Sequence, residues 1–570
     1  MLSGIALGCV LVCGIALATK VLPELLSPNE TFARLREPFG YWNAVGLMAA
    51  LGVPPLLWLA ARRIGHAAVN ALAWPALGLV LVCLMLSYSR GALVALAVGL
   101  ALWFAVVPLR LRGAIVLAAG VIGAAPLVAW AFTQDGLTTD EAPMAARVDA
   151  GHELGALLLL TAAVLLAAGL AVHFMLARRP PSRQTRALTA RVALATLAVV
   201  PLVGLVVLAT APGGIDGQVS KAWNQLTDTD ARTPANTPGR LTATASVRAR
   251  YWDEALKVHA DSPWVGVGAG GYATARTRYR KDTLNVRHAH GYVVQTLADL
   301  GWAGLALSLL AALAWCLAAA RATGLRPRDR GLRYDPERIG VLTLVTVVAV
   351  FAVHSLLDWT WIVPATAAAA ALCAGFVAGR GPLRARLSGA RPAPPAGRDR
   401  QAWPAPTRRQ RLQRSLAARR VGAVLVGLVV LAAAWTAYQP VRAAHASDEA
   451  FDRLDAGNPA AAAEVARVAT QRNPLSVDPL FELAAFEQAQ GRNREAEHAL
   501  ERAVEVQPAN AETWRRLGRF QLSVLNQYEP ALRSFRAAYY LDPRSPQSSS
   551  DVLEATRAVN GDGSAPPATP

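Results

Sequence analysis

Charge is scarce along these 570 residues: only 17% are Asp, Glu, Lys or Arg, and 39 acidic side chains face 57 basic ones. Soluble domains carry about 25% charged residues, so this depletion, with 54% hydrophobic residues and a mean hydropathy of +0.30, excludes an ordinary soluble globular chain. Cysteine is scarce as well. Cys9, Cys13, Cys83, Cys316 and Cys373 all fall inside apolar runs, with neither the even count nor the loop spacing of a disulfide framework or zinc site; they read as small packing residues. Also lacking is any recognition module or aromatic-interleaved basic sheet, which argues against nucleic acid as the reason for the net charge of +18.

What the chain has instead is long apolar runs. Stretches near 2–19, 42–61, 67–87, 91–107, 114–132, 154–176, 192–210, 301–320, 339–357, 361–378 and 421–438 are each long enough for a helix to cross a bilayer, giving about eleven spans. Ala16-Leu17-Ala18 has the form of a signal-peptide cleavage site, but no basic residue precedes the first run and ten more follow, so it reads as an uncleaved helix. Alternate short loops hold 27 Lys and Arg, while the opposite set holds only Lys20, Arg34, Arg36, Arg90 and Arg147. The positive-inside rule then places the N-terminus in the cytoplasm and both the 212–289 segment and the C-terminal region outside. Much of the positive charge serves this topology and attracts anionic membrane lipid.

Past residue 439 the pattern changes to charged helical periodicity. Asn473-Pro474, Gln507-Pro508 and Asp542-Pro543 recur at intervals of 34 and 35 residues, and Trp514, Leu517 and Gly518 fit a tetratricopeptide signature, with Ala531 and Phe535 at packing positions. About three helix pairs over 445–543 would form a solenoid offering a concave face to a protein partner; a solvated helical spacer is the plainer alternative. The domain reading is an all-α, polytopic helix bundle: spans one to seven over 1–211, an extracytoplasmic catalytic loop over 212–291, and spans eight to ten over 292–378. A basic cytoplasmic linker over 379–420, an eleventh span over 421–438, the repeats over 445–543 and a disordered tail over 544–570 complete it.

The polar features cluster on one predicted side. Pro38-Phe39-Gly40-Tyr41-Trp42-Asn43 closes the first outer loop, Ser89-Arg90-Gly91 sits at an outer junction, and the segment from His354 to Trp361 turns between spans nine and ten. Arg90 at helix-end depth would cost roughly 2.5–3.5 kcal/mol at mid-bilayer, so it snorkels outward or pairs with an anion. Arg248 precedes an expected amphipathic helix from Tyr251 to His259, and Pro263-Trp264-Val265-Gly266-Val267-Gly268 follows as a turn. Gly266-x-Gly268-x-x-Gly271 formally fits a dinucleotide fingerprint, but no strand precedes it and the loop faces away from nucleotide pools. His288 and His290, beside Arg287, would diverge by about 200° in a helix but share a face in an extended segment, so one of them is expected to act alone as a general base. No carboxylate or cysteine joins them at metal-ligand spacing.

The ordered set of Arg248, Trp252, Ala255 and Leu256, then P-x-x-G-x-G, then His288-Ala289-His290, then a helix with Asp299-Leu300-Gly301 and Gly304, resembles the O-antigen ligase and polymerase superfamily. The resemblance covers roughly residues 20–380, and the Ser89-Arg90-Gly91 and Gly40-Tyr41-Trp42-Asn43 segments are similar to further landmarks. It implies a GT-C-like, metal-independent inverting glycosyltransferase without a cofactor. Such an enzyme takes a glycan from undecaprenyl pyrophosphate at the outer face of the cytoplasmic membrane and passes it to a glycan, lipid or protein hydroxyl. On that resemblance Arg90 and Arg248 would bind the donor pyrophosphate, His290 would deprotonate the acceptor, and His288 would support it. The superfamily pattern has Asn after the second histidine where this chain has Gly291, and commonly further helices ahead of residue 20; the orienting hydrogen bond to the base is therefore either missing or supplied from elsewhere. Two other readings are an anion transporter or channel with outer arginines as a selectivity ring, and a repeat scaffold anchored by inert helices.

Overall fold

A computed structural model describes residues 1–62, 64–178, 214–326, 334–383 and 408–561, with scattered positions between 184 and 210. The chain divides into two compact units: Met1–Tyr272 with Val286–Arg386, and Ala273–Asn285 with Leu387–Pro570. Both are helical, and no strand occurs among the described residues.

In the first unit the Trp42–Ala61 helix forms the centre. Its apolar stretch is 94% buried, and the Leu2–Val21, Ala67–Leu86, Arg90–Val106 and Pro336–Leu357 helices pack around it. The corresponding stretches of Met144–Phe174 and Tyr292–Thr323 are only 11% buried, as expected of helices whose apolar side chains face lipid rather than protein. Small residues let helices approach: a Cβ on Gly99 would lie 2.2 Å from a Val350 methyl, and one on Gly78 would lie 2.5 Å from Leu165. Eight helices among the described residues are long and apolar enough to cross a membrane: these seven aside from Arg90–Val106, together with Arg110–Ala131 and Arg420–Asp455. The sequence led us to expect about eleven spans. The runs at 91–107 and 361–378 form helices of only 17 residues, Arg90–Val106 and Pro364–Arg380, and most of the run at 192–210 lies outside the described residues.

The run expected at 301–320 belongs to a longer helix, Tyr292–Thr323, broken at Gly301 with φ 61° and ψ −162°. The break lets the chain dock on the turn after the Arg248–Asp261 helix. Val267 N–H donates to Ala298 O, Gly268 N–H to Asp299 O, Trp302 N–H to Pro263 O and Ala303 N–H to Trp264 O, at 2.8–3.0 Å. The carbonyls and amides freed by the break are thus satisfied by the turn. The approach leaves no room for side chains at the contact. A Cβ on Gly266 would lie 2.3 Å from the Asp299 carbonyl carbon, and one on Gly301 would lie 2.4 Å from that of Trp264.

In the second unit, the Arg408–Asp455 helix contains the expected span at 421–438 and runs into the repeats. Helices Pro459–Arg472, Asp478–Ala489, Asn493–Val506, Ala511–Ser523 and Tyr528–Leu541 follow in antiparallel pairs. Gly518 fits its signature role, because a Cβ there would meet the Phe535 ring at 2.9 Å. The tail expected to be disordered from residue 544 instead forms a helix over Pro546–Asn560. Ser545 caps it, Pro546 occupies the first turn, and Ala555 packs with Leu532 and Phe535. Its Ser and Pro content, read as a sign of disorder, supplies the helix start. The tail beyond residue 561 and most of the basic 379–420 linker lie outside the described residues.

Because Gly301 and Gly266 combine positive φ with backbone contact, Gly301→Ala or Gly266→Ala should each lower stability by at least about 2 kcal/mol. Gly375→Ala, where nothing lies within 4 Å of the added Cβ, should not. Thermal unfolding of the three variants in detergent would check this.

Candidate functional site

Four helix ends and two loops meet around one carboxylate. Asp358 caps the C-terminal end of the Pro336–Leu357 helix and is fully buried. Its Oδ2 accepts from Arg248 Nη2 at 2.6 Å and from Asn43 Nδ2 at 2.5 Å. Its Oδ1 accepts from the Tyr41 hydroxyl at 2.7 Å and from Trp359 N–H at 2.8 Å, and lies 3.5 Å from His290 Nδ1. Burial pushes the carboxyl up, but the Arg248 guanidinium and the hydrogen bond and charge of His290 outweigh it and hold Asp358 well below the usual carboxylate range. Burial, then the Asp358 charge, push the Tyr41 phenol well above its ordinary value, so Tyr41 stays a donor.

The structure brings Arg248 and His290 onto the same carboxylate. Arg248 is the first residue of the Arg248–Asp261 helix rather than a residue ahead of it, and its Nε has no hydrogen-bond partner among the described residues. One edge of the guanidinium is therefore held by Asp358 while a donor remains for an anion. His290 sits at φ 54°, a conformation that non-glycine residues rarely adopt and that clusters at functional sites. Its carbonyl accepts from Trp252 Nε1 at 3.2 Å, and its ring stacks on Tyr251 at 5.5 Å. With Nδ1 facing Asp358, Nε2 is the ring nitrogen directed away from the carboxylate. The orienting contact absent at Gly291 is thus supplied from another helix.

His288 takes a different position. Its ring stacks 4.9 Å from Trp359, which also stacks on Tyr41 at 4.4 Å and meets the His290 ring edge-on at 6.4 Å. Burial, then the neighbouring His290, lower its pKa below the ordinary histidine value and favour the neutral ring. The two histidines share Trp359, and of the two His290 faces Asp358. Arg90 lies in the first turn of its helix and donates to the carbonyls of Ala243 and Ala245. It thereby holds the approach to Arg248 rather than touching Asp358.

Sequence reasoning missed Asp358, Tyr41, Asn43, Arg34 and Arg240 as individual contributors. Arg34 is buried and donates to Ser87 O, Tyr88 O and Asn43 Oδ1, so it locks the loop ahead of the Trp42–Ala61 helix onto the turn before the Arg90–Val106 helix. Arg240 lies close enough that burial first, and the Arg248 charge next, lower its pKa. Arg34, Arg240 and Arg248 thus surround the buried Asp358, and the excess of guanidinium groups over this carboxylate suits a polyanionic ligand.

Asp358→Asn would remove the fully buried counter-charge of the half-buried Arg248, and stability should fall by about 3 kcal/mol at neutral pH. Since the folded pKa lies below the unfolded value near 4, this contribution is complete above about pH 4 and lost as the pH falls below it. The stability gap between wild type and Asp358→Asn should therefore be undiminished at pH 5 and narrow only in stronger acid, as measured by unfolding in detergent at each pH.

Residues 154–309 match the O-antigen ligase family model, and residues 477–520 match a tetratricopeptide repeat model. The first match contains Arg248, His288, His290 and the Asp299-Leu300-Gly301 break, but neither Arg90 nor Asp358. No curated protein matches the chain. Among solved structures, the Sgt2 TPR domain from Aspergillus fumigatus is similar at 20% identity over 23% of this chain and 87% of its own length, with a TM-score of 0.20. The apolar helices and the two matches together indicate a multi-pass membrane protein that is similar to the O-antigen ligase family over residues 154–309 and carries C-terminal tetratricopeptide repeats.

Proposed function

We propose that the protein transfers a glycan from an undecaprenyl-pyrophosphate-type carrier to an acceptor hydroxyl at the outer face of the cytoplasmic membrane, without a metal and with inversion. The observation that carries this reading is the shared Asp358 carboxylate, which holds Arg248 at 2.6 Å and His290 at 3.5 Å. The O-antigen ligase match supports the broader assignment to glycosyl transfer in polysaccharide synthesis.

His290 Nε2 accepts the acceptor's hydroxyl proton as the oxygen attacks the anomeric carbon from the face opposite the pyrophosphate. The bond between that carbon and the phosphate oxygen breaks, and its electron pair leaves with the pyrophosphate. Arg248 meets the growing charge through the donors that Asp358 does not use, and Arg90 and Arg240 add to the field. Asp358 fixes the His290 tautomer and stabilises the imidazolium that forms. Tyr41, Asn43 and Trp359 N–H hold the carboxylate still, so little reorganisation accompanies the transfer. His288 supports this arrangement through Trp359.

Transfer from a synthetic undecaprenyl pyrophosphate glycan, with EDTA present, tests the proposal. His290→Ala should lower turnover by about 10²–10⁴-fold, the usual worth of a positioned base. Arg248→Lys should fail to restore what Arg248→Ala loses, because an ammonium lacks the fork that serves carboxylate and phosphate together. Equal transfer by wild type and both alanine variants would reject these roles, and dependence on added divalent ion would reject the metal-free step.

A further inference from the structure

The second compact unit contains a piece of chain that belongs, by sequence, to the middle of the catalytic region. Ala273–Asn285 lies between Tyr272, which ends the glycine turn, and the His288-Ala289-His290 cluster, yet it packs with the repeats. Its contacts are specific. Arg280 donates to the Asp542 carboxylate through Nε and Nη2 at 2.7–3.1 Å, with both side chains largely buried. Thr277 Oγ1 donates to Leu541 O at 3.0 Å, and the Arg278 guanidinium lies 4.4 Å from the Tyr540 ring centroid.

All three partners sit at the C-terminal end of the Tyr528–Leu541 helix. Helix ends leave carbonyls without intrahelical donors, and their partial negative charge favours cations. Thr277 satisfies one such carbonyl, while Arg278 and Arg280 supply the positive charge. The repeat sequence itself marks this end as different. The three periodic positions before proline are Asn473, Gln507 and Asp542; the last alone carries a carboxylate, and it is the one paired with Arg280.

The stems of the segment are held in the first unit by Asp299, directly at one stem and through Gln295 at the other. Tyr272 N–H donates to Asp299 Oδ1 at 2.9 Å. At the other stem, Ala289 N–H donates to Gln295 Oε1 at 2.7 Å, and Gln295 Nε2 donates to Asp299 Oδ2 at 2.9 Å. The segment is held at its middle within the second unit, its stems are held within the first, and its second stem leads directly into both histidines.

We propose that the terminal repeat is a positioning element of the transferase site: the clamp formed by Arg280 and Asp542, with Thr277 on Leu541 O, holds the 273–285 segment and thereby the backbone of residues 286–291. The catalytic consequence rests on the proposed transfer reaction, whereas the clamp itself does not.

Hydrogen exchange and steady-state transfer on the full-length protein in nanodiscs would separate the two. Asp542→Ala should speed exchange in both 273–285 and 286–291 by about fivefold, the upper end for a partly exposed ion pair. The charge-exchanged double variant Arg280→Asp with Asp542→Arg should restore protection, which a merely unfolded repeat would not. In transfer, Asp542→Ala should lower kcat by a similar factor with little change in donor KM, and the exchanged pair should recover it. Unchanged exchange in 286–291 on loss of Asp542 would overturn the proposal, as would altered exchange with unchanged kcat. If the wild type transfers no glycan, the reaction assigned above fails, and the exchange arm still decides whether the repeat positions the histidine segment.

Discussion

A carboxylate buried where water cannot reach it must be matched by positive charge and hydrogen-bond donors, and Asp358 imposes that requirement on every element around it. Arg248, Asn43, Tyr41, Trp359 N–H and His290 answer it from the Arg248–Asp261 helix, the first loop, the turn after the Pro336–Leu357 helix and the histidine segment. Elements far apart in sequence are thus drawn to one end of the bundle. The same arrangement leaves Arg248 and His290 each with one nitrogen face free for a ligand. A structural necessity and a chemical capacity therefore arise from the same five contacts.

Asp299 performs a comparable task one layer away. Its side chain accepts from Gly270, Tyr272 and Gln295, and the backbone beside it is docked on the glycine turn. The P-x-x-G-x-G and D-L-G-x-x-G strings are therefore two halves of one backbone contact. Helix bending at Gly301 is needed to form it, and the bend sets where His290 leaves the helix start. Through the 273–285 segment, the same stems connect covalently to the chain held by the last repeat.

Much of the fold was legible in the sequence because apolar run length and repeat spacing each report one physical constraint directly. Arg248, His288 and His290 stood out because charge and imidazole are conspicuous beside apolar runs. Asp358 did not, although it falls within the His354–Trp361 turn already seen as polar: its role depends on partners more than 60 residues away in sequence, and no local pattern encodes them. The Gly301 break was hidden for a related reason, since a glycine inside an apolar run signals a kink only once its docking partner is known. The Pro546–Asn560 helix was misread because serine and proline mark helix starts as well as disordered chain.

The central claim is that Asp358 acts through His290, so the most direct measurement is a double-mutant cycle between Asp358→Asn and His290→Ala in glycan transfer. The account predicts strong coupling, with the double variant no slower than His290→Ala alone. Additive losses would contradict it.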